Sequence, residues 1–230
     1  MEERYYTRLA AATVRGNILR CGREDILSGR LIEEPIESLR EEEFGEIISL
    51  AAELDVKLYH FKKSERILPR ISVVIGFLKG ICFESILDVG SGRGAFLFPL
   101  LEGFPYAQVS SLDILEKRYL FLSDISRGGI TRLSVSNRDI CDMPYAEKSF
   151  DVVTMLEVLE HIPDTEAAVF SAVKMAREYV IVTVPSKEDD NPEHIHLLTQ
   201  EKLTDVFMRA GAKKLSFDAV SGHLIMIAKV

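Results

Sequence analysis

Hydrophobic and polar positions follow two different patterns along this chain, and the pattern changes near residue 84. In the first part, apolar residues recur at the steps of three and four that are typical of an amphipathic helix: Leu39, Phe44, Ile47, Ile48, Leu50, Ala51 and Leu54. A second helix is predicted from about residue 68 to residue 83, since Pro69 suits a first helical turn. Residues 56–61 fit either a short strand or more helix. The first 83 residues are therefore expected to form a helical extension.

From residue 85 onward, short apolar runs alternate with polar turns and helical periods. The apolar runs predict strands at residues 85–89, 108–112, 132–136, 150–155, 179–184, 214–218 and 223–229. Helices are predicted at about residues 94–101, 115–125, 164–178 and 200–210. This alternation is typical of a parallel sheet covered by helices on both faces. Only about four residues, with Ser221 and Gly222, join the last two strands, so the sheet is expected to end in an antiparallel hairpin.

The most informative segment joins the first predicted strand to the first helix that follows it. Asp88 and Val89 end the apolar run, and glycines follow at alternate positions, Gly90, Gly92 and Gly94. Glycine adopts positive φ without strain and lets the backbone approach a ligand closely. The dinucleotide fingerprint places its third glycine one residue later. The spacing therefore indicates a nucleotide-like ligand other than NAD.

Composition and charge narrow the class of protein. No apolar run approaches the roughly 20 residues of a membrane span, and the N-terminus lacks the order of a secretory signal. Three widely spaced cysteines, Cys21, Cys82 and Cys141, indicate neither a disulfide framework nor a zinc knuckle. These features predict a cytoplasmic protein. The net charge of -8 argues against nonspecific nucleic-acid binding, which needs clustered lysine and arginine.

Charge is unevenly divided within the first part of the chain. Residues 4–30 hold six arginines, and residues 33–53 hold eight glutamates. The simplest interpretation is two helices with solvated faces that pair with each other.

The carboxyl ends of parallel strands open onto one crevice, where such folds bind their ligands. The residues that follow the first four strands in turn are Asp88 and the glycines, Asp113, Asp139 with Ile140, and Leu156 with Glu157. A carboxylate at the position of Asp113 is placed to accept hydrogen bonds from ribose hydroxyls. Each acid also has a structural alternative, since Asp88 and Asp113 suit helix N-caps and Asp139 suits a turn.

Four motifs in this order, joined to a terminal hairpin, resemble a class I S-adenosylmethionine-dependent methyltransferase. The resemblance is closest to the broad type 11 group that includes the ubiquinone and menaquinone biosynthesis enzymes. It implies an α/β, Rossmann-like methyltransferase fold with a seven-stranded, mostly parallel sheet and an antiparallel terminal hairpin strand. Residues 84–230 would form the S-adenosylmethionine-binding domain. Residues 1–83, the N-terminal helical extension, would supply a lid, a substrate surface or an oligomer surface.

The resemblance also implies roles for particular residues. S-adenosylmethionine would be bound by Asp88, Gly90, Gly92, Gly94, Asp113, Ile114, Asp139, Ile140 and Leu156. The glycines would let the backbone lie close to the methionine and ribose portion of the cofactor. Asp113 would hold the ribose hydroxyls, with Ile114 against adenine, and Asp139 would accept from the adenine amino group.

Methyl transfer requires alignment of acceptor and methyl group, and it needs a base only when the acceptor loses a proton. Glu157 and His161 are the candidate catalytic residues, and the ordinary imidazole pKa of about 6.5 suits a base. Together with Glu160 and either His194 or His196, they also have metal-ligand character, similar to small-RNA 2′-O-methyltransferases that use a metal ion. The Glu-His-Ile-Pro sequence occurs widely in type 11 enzymes without metal, so no metal ligand is assigned.

The predicted function is therefore methyl transfer from S-adenosylmethionine to a small-molecule acceptor that the sequence does not identify. The alternatives are a metal-assisted RNA 2′-O-methyltransferase and a noncatalytic cofactor-binding subunit. Aminopropyl transfer from a decarboxylated cofactor is disfavoured because the acidic pair of polyamine sites is missing. Nucleic acid is not the expected partner, and the N-terminal helices are a candidate homodimer surface.

Overall fold

The computed structural model of the protein describes residues 6–62, 67–143, 146–188 and 190–230. The α-helices in these ranges are α1 (Thr7–Cys21), α2 (Gly29–Glu33), α3 (Glu41–Ser49), α4 (Pro69–Lys79), α5 (Leu97–Gly103), α6 (Glu116–Arg127), α7 (Thr165–Met175) and α8 (Gln200–Arg209). The strands are β1 (Ser85–Val89), β2 (Gln108–Leu112), β3 (Leu133–Ser136), β4 (Phe150–Leu156), β5 (Ala176–Pro185), β6 (Lys214–Val220) and β7 (His223–Lys229). Residues 56–61, which fit strand or helix, contain a short 3-10 turn at Tyr59–Phe61.

The strands form one mixed sheet in the order β3-β2-β1-β4-β5-β7-β6. β1 is parallel to both of its neighbours, β2 and β4, and β4 is parallel to β5. β7 is antiparallel to both β5 and β6, as the short connection near Ser221 and Gly222 predicts. The expected Rossmann-like fold with its antiparallel terminal strand is confirmed. In the sheet, β2 and β3 lie on one side of β1, and β4 and β5 lie on the other. The strand order therefore reverses between β1 and β4, which is the topological switch point.

The chain divides into two compact units that do not follow the sequence order. Unit 1 contains the described residues up to 62 together with Leu115–Val135. Unit 2 contains the described residues of Ile67–Ile114 and Ser136–Val230, and with them every predicted cofactor and catalytic residue. The predicted domain boundary between residues 83 and 84 remains a prediction.

In unit 1, α1 packs directly against α6 and the turn that follows it. α1 is buried on all sides over residues 9–16, and its buried apolar side chains are small or branched: Ala10, Ala11, Ala12, Val14 and Ile18. A Cβ atom on Gly16 would overlap the Asp124 carbonyl oxygen, and one on Gly128 would overlap the Ala12 carbonyl oxygen. Both contacts are with backbone, which no side-chain rotation relieves. Glycine at these two positions is what lets the two segments approach so closely.

A buried arginine completes the core of unit 1. Arg15 is 4% exposed, and its guanidinium donates to the carbonyl oxygens of Gly128 at 2.8 Å, Leu31 at 3.1 Å and Glu34 at 2.8 Å. Burial lowers the pKa of Arg15 below its ordinary value. An arginine stays charged in proteins, so these carbonyl oxygens compensate a buried cation.

Two ion pairs in unit 1 join the arginine-rich and the glutamate-rich segments of the sequence. Arg23 lies 2.8 Å from Glu53, and Arg30 lies 3.0 Å from Glu43. The predicted pairing between the arginine-rich and glutamate-rich segments is therefore confirmed. These pairs are exposed on the arginine side, and such pairs contribute only about 0–1 kcal/mol each.

Replacing Gly16 by alanine is expected to destabilise the protein by about 2 kcal/mol, because the added methyl group overlaps backbone. Gly45 is a matched control, since it is a helical glycine of the same unit whose Cβ would meet nothing within 4 Å. Gly45→Ala should be neutral or stabilising by up to about 1 kcal/mol. Urea unfolding followed by circular dichroism measures both. Equal stability changes in the two variants would contradict the close packing of α1 against α6.

In unit 2, helices cover the sheet on both faces. On one face of β5, Val180, Val182 and Val184 belong to an apolar core that also includes residues of α7 and α8. Alternate residues of β5 point to the opposite face, where Tyr179 meets Phe77 of α4 with ring centroids 5.2 Å apart. The predicted two-sided covering is thus present. Among the described residues, no helix is long and apolar enough to cross a membrane.

Candidate active site

The turn after β1 has the backbone conformation that its glycines predict. Gly90, Gly92 and Gly94 have φ values of +66°, +58° and +83°, all in the left-handed region that favours glycine. The Gly90 N–H donates to the Leu112 carbonyl oxygen at 2.6 Å, which fixes the turn to the end of β2. A Cβ atom on Gly90 would lie 2.5 Å from Cγ2 of Val158. The turn is therefore both left-handed and tightly enclosed.

Asp88 is a buried carboxylate beneath this turn. Its side chain accepts from the Ser91 hydroxyl at 2.5 Å and from the Thr154 hydroxyl at 2.8 Å. The sheet register causes the second contact, because Asp88 lies opposite Thr154 of the neighbouring parallel strand. Burial raises the pKa of Asp88 to about 6, with the two hydroxyl hydrogen bonds opposing the shift and the charge of Asp113 adding to it. Asp88 is therefore ionised at neutral pH but protonated in mild acid.

Asp113 joins the end of β2 to the glycine turn. The residue is 5% exposed, and one carboxylate oxygen accepts from the Gly92 N–H at 3.0 Å. The Asn137 side-chain amide donates to the carbonyl oxygens of Asp113 at 2.8 Å and Ile114 at 2.9 Å, which holds the end of β2 in place. Ile114 itself is 62% exposed. A buried acid and an exposed apolar side chain thus stand side by side at the edge of the sheet.

The segment after β3 shows the turn-forming alternative for Asp139. Its carboxylate accepts from the Cys141 N–H at 2.9 Å and caps the short turn Ile140–Asp142, while Ile140 is buried in the core. The adenine-binding role of this acid remains a prediction. Burial, together with a hydrogen bond to Asp139, raises the pKa of the Cys141 thiol to about 11. Cys141 therefore stays a thiol at neutral pH and is not an activated nucleophile.

Glu157 follows β4 in a strained backbone conformation, with φ of +58°. Its N–H donates to the Thr183 carbonyl oxygen at 2.9 Å, and the Thr183 hydroxyl donates to Oε1 at 2.7 Å. Oε2 lies 2.9 Å from Nδ1 of His223, and Oε1 lies 3.8 Å from Nε of Arg70. Thr183 thus holds the backbone and Oε1 of Glu157, while Oε2 faces His223. Glu157 lies just beyond the half-buried Leu156.

The neighbours of His223 indicate which tautomer a neutral ring adopts. Nη1 of Arg70 lies 3.3 Å from Nε2 of His223, and an arginine can only donate. The neutral ring then carries its proton on Nδ1, the nitrogen that faces Glu157. His223 reaches this place because β7 is antiparallel, so that its first residue pairs with Pro185 at the carboxyl end of β5.

A second polar cluster lies one turn beyond Glu157. Glu160, His161 and His194 each bring one nitrogen or carboxylate oxygen to within 4.8 Å of the others. The rings of His161 and His194 meet edge to face with centroids 4.9 Å apart. His196, the other histidine of the loop after β5, instead lies 3.3 Å from the Pro163 carbonyl oxygen. The structure therefore places Glu157 and His161, the two predicted catalytic residues, in different clusters.

The residues that were not predicted from the sequence are Thr154, Asn137, Thr183, Arg70 and His223. Thr154 carries a readable signal, because it is a fully buried polar residue within the apolar run of β4. Arg70 and His223 carry none, since they are 153 positions apart along the chain and meet only in the folded sheet.

Comparisons with known proteins agree with this geometry. Residues 84–219, more than half of the chain, match the family described as a methyltransferase domain. The chain is 33% identical over 118 residues to ubiquinone biosynthesis O-methyltransferase of Idiomarina loihiensis, covering 50% of this chain and 47% of that protein. It is 32% identical over 110 residues to ribosomal RNA small subunit methyltransferase G of Dehalococcoides mccartyi, covering 46% and 43%. The chain spans about half the length of the curated relatives that it matches.

One solved structure with a similar fold is magnesium protoporphyrin IX methyltransferase from Synechocystis PCC 6803 with bound S-adenosylhomocysteine. The TM-score is 0.54 at 16% identity, and the alignment covers 69% of this chain and 80% of that one. The likeness establishes the fold. Given the domain match, the strand order and the acids ranged along the sheet edge, the chain belongs to the class I S-adenosylmethionine-dependent methyltransferase family, of the type 11 kind.

Proposed function

We propose that this protein transfers a methyl group from S-adenosylmethionine to a small-molecule acceptor. The observation that carries the proposal is the carboxylate of Asp113, which holds the Gly92 N–H at the end of β2 beside the exposed Ile114. In nucleotide-binding Rossmann-like folds, an acid at this position accepts from the ribose hydroxyls. An apolar side chain next to it suits one face of an adenine ring.

The charge of the site also suits this cofactor. S-adenosylmethionine carries a sulfonium and an ammonium group, and Asp88 and Asp113 place two buried acids around the glycine turn. Charges interact more strongly in a buried site than in water, so a cationic ligand would compensate both carboxylates. Under the proposal, Gly90, Gly92 and Gly94 let the backbone pass close to the cofactor.

The catalytic step requires mainly that the protein align the acceptor with the methyl group. The acceptor displaces S-adenosylhomocysteine in line, and holding the two reactants in alignment supplies roughly 7–11 kcal/mol of the barrier reduction. Under the proposal, Leu156 and Glu157 line the methyl end of the cofactor, where the Thr183 hydroxyl holds Oε1 of Glu157 and His223 lies beside Oε2. His161 would be the base for an acceptor that loses a proton. Its Nδ1 lies 2.8 Å from the Glu193 carbonyl oxygen, which only accepts hydrogen bonds. The neutral ring therefore keeps its lone pair on Nε2, the nitrogen that would take the proton.

Replacing Asp113 by alanine is expected to lower the affinity for S-adenosylhomocysteine by at least about tenfold, since a hydrogen bond to a charged group contributes about 1.5–3 kcal/mol. Titration calorimetry measures the affinity directly. Asp218→Ala is the matched control, because Asp218 is an exposed aspartate of the edge strand β6 and should leave the affinity unchanged. No saturable binding of S-adenosylmethionine or S-adenosylhomocysteine by the folded wild-type protein would refute the proposed function.

The acceptor class needs its own experiment. Radioactive methyl transfer from S-adenosylmethionine is measured in parallel with a metabolite extract and with total RNA. The net charge of -8 favours the metabolite fraction. Methyl transfer to RNA alone would replace the small-molecule proposal with the RNA alternative. Cofactor binding without transfer to either fraction would support a noncatalytic subunit. A homodimer through the N-terminal helices remains a prediction.

A further inference from the structure

Arg70 is a half-buried arginine that has no carboxylate within hydrogen-bond distance among the described residues. Its side chain is 21% exposed, its Nη1 lies 3.3 Å from Nε2 of His223, and its Nε lies 3.8 Å from Oε1 of Glu157. That carboxylate oxygen already accepts from the Thr183 hydroxyl at 2.7 Å. Nε and Nη2 of Arg70 donate no hydrogen bond to any part of the chain that the structure describes. A guanidinium has five N–H donors, so most of those of Arg70 are available to a ligand.

Other arginines of the chain show the contact that a guanidinium prefers. Arg20 donates to both carboxylate oxygens of Asp124 at 2.8 and 2.9 Å. Arg209 donates to both carboxylate oxygens of Glu166 at 2.6 and 3.0 Å. This paired arrangement matches two planar groups and is stronger than a contact with a neutral group. Arg70 instead faces an imidazole nitrogen, so an anionic ligand would compensate a charge that is largely removed from water.

The fold holds this guanidinium at the carboxyl edge of the sheet. α4 carries Arg70 on its first turn and packs on β5 through Phe77, whose ring meets that of Tyr179. The Ser186 N–H donates to the Gly222 carbonyl oxygen at 2.9 Å, which holds the start of β7 beside the end of β5. These elements all belong to unit 2. Binding groups that are carried by packed elements are preorganised for a ligand.

The contact with Glu157 indicates which ligand would meet Arg70. Under the proposed function, Glu157 lines the methyl end of the cofactor, so the acceptor approaches beside it. Arg70 and His223 are next to Glu157 on that side of the sheet edge. The open N–H groups of the guanidinium therefore lie where the acceptor is expected, and not where the adenine or ribose is expected.

We infer that Arg70 binds a carboxylate group of the small-molecule acceptor and so determines which acceptors are methylated. The inference rests on the proposed function and adds the chemical class of the acceptor to it. A carboxylate is planar like the guanidinium and carries a single negative charge. A phosphate monoester carries about −1.5 to −2 at pH 7, so the neighbouring Glu157 carboxylate would repel it more strongly. His223 accepts from the guanidinium on one side and leaves its other donors for the acceptor.

The test is binding of small probes by the full-length protein saturated with S-adenosylhomocysteine. The probes are phenylacetate, its neutral counterpart phenylacetamide, and phenyl phosphate, each titrated near neutral pH with NMR detection of the probe. Wild type should bind phenylacetate at least about tenfold more tightly than phenylacetamide, since hydrogen bonds between charged groups are the strong ones. It should also bind phenylacetate more tightly than phenyl phosphate. Arg70→Gln should lose the preference for phenylacetate, and Arg70→Lys should keep part of it, because lysine retains the charge without the planar donors.

Lys79→Gln is the matched control, since it removes the same charge from the exposed last residue of the same helix. It should keep the wild-type preference for phenylacetate. The inference would be overturned if wild type bound phenylacetate and phenylacetamide equally, or if Arg70→Gln kept the preference. Equal losses in Arg70→Gln and Lys79→Gln would also overturn it. Tighter binding of phenyl phosphate than of phenylacetate would overturn the assignment of a carboxylate.

Two further measurements separate this inference from the proposed function. The affinity of Arg70→Gln for S-adenosylhomocysteine, expected within about twofold of wild type, reports that the variant is folded and keeps its cofactor site. If wild type bound no S-adenosylhomocysteine, the proposed function would fail, and the preference for phenylacetate would still be measured on the free protein. In the methyl-transfer assay, anion exchange first divides the metabolite extract into acidic metabolites and the remainder. The labelled methyl group should enter the acidic fraction, and transfer confined to the remainder or to RNA would overturn the inference.

Discussion

Replacing Gly90 by alanine is expected to lower the affinity for S-adenosylhomocysteine by at least about 100-fold, which corresponds to about 2.7 kcal/mol. Two costs act together. The left-handed conformation at φ +66° costs a residue with a Cβ atom roughly 1–2 kcal/mol. The new methyl group also lies 2.5 Å from Val158, and overpacking of this kind costs about 1–3 kcal/mol. Relief of either cost moves the turn that the cofactor is proposed to contact. Titration calorimetry with S-adenosylhomocysteine measures the result.

Two further variants separate strain from overlap. Gly211 has φ of +104° at the end of α8, and a Cβ atom there would meet nothing within 4 Å. Gly211→Ala should therefore lose stability through strain alone and keep the wild-type affinity. Adding Val158→Ala to Gly90→Ala removes the overlap and should restore part of the affinity. A folded Gly90→Ala variant that binds as tightly as wild type would mean that this turn does not hold the cofactor.

Strand positions were predicted well because sheet burial leaves a direct trace in the sequence. β1, β2 and β7 occupy the predicted ranges, and each is a short apolar or alternating run bounded by polar or glycine residues. Helix ends were predicted less well. The glycine turn delays α5 until Leu97, and α7 passes directly into β5 at Ala176, where pairing with Phe150 replaces helix. Both ends are set by contacts that local periodicity does not record.

In the candidate site, too, local sequence predicts some residues, while others depend on tertiary contacts. Acids at strand ends were predicted because parallel topology alone places them at one edge. Their partners were not, since the Asp88–Thr154 contact requires the register of β1 against β4. The Arg70–His223 contact likewise requires α4 and the reversed strand β7 to be in place.

The structure groups α6 with α1 in one compact unit, a grouping that the sequence does not indicate. A division at residue 83 leaves α6 among the later elements, whereas compactness groups it with the N-terminal helices. The cause is the backbone contact at Gly16 and Gly128. A single glycine within a helical pattern does not reveal which neighbour it approaches.

Replacing Asp88 by asparagine is expected to change the free energy of unfolding in a pH-dependent way. Relative to wild type, the variant should gain up to about 3 kcal/mol of stability between about pH 4 and neutral pH. The pKa of this carboxyl rises from an ordinary 3.8 to about 6 on burial, and each unit corresponds to roughly 1.4 kcal/mol. Between these values the unfolded chain has released the proton while the folded chain retains it. Wild-type stability therefore falls as pH rises through this window, and asparagine does not titrate.

Urea unfolding at a series of pH values from 4 to 7.5 gives the difference between Asp88→Asn and wild type. Other groups titrate in both proteins and cancel in that difference. Asp218→Asn is the control, since Asp218 is exposed and its substitution should give a flat difference. A flat difference for Asp88→Asn as well would contradict the raised pKa.

If the proposed function holds, the proton on Asp88 should also make cofactor binding depend on pH. A cationic ligand beside Asp88 favours the ionised carboxyl and lowers its pKa, so that binding releases the proton. Wild-type affinity for S-adenosylmethionine should then rise with pH up to about 6, by as much as tenfold per unit. Asp88→Asn should bind with an affinity that stays level over this range. The ligand would thus compensate the charge of a buried acid that destabilises the free protein. If wild type and Asp88→Asn showed the same dependence of affinity on pH, this coupling would be ruled out.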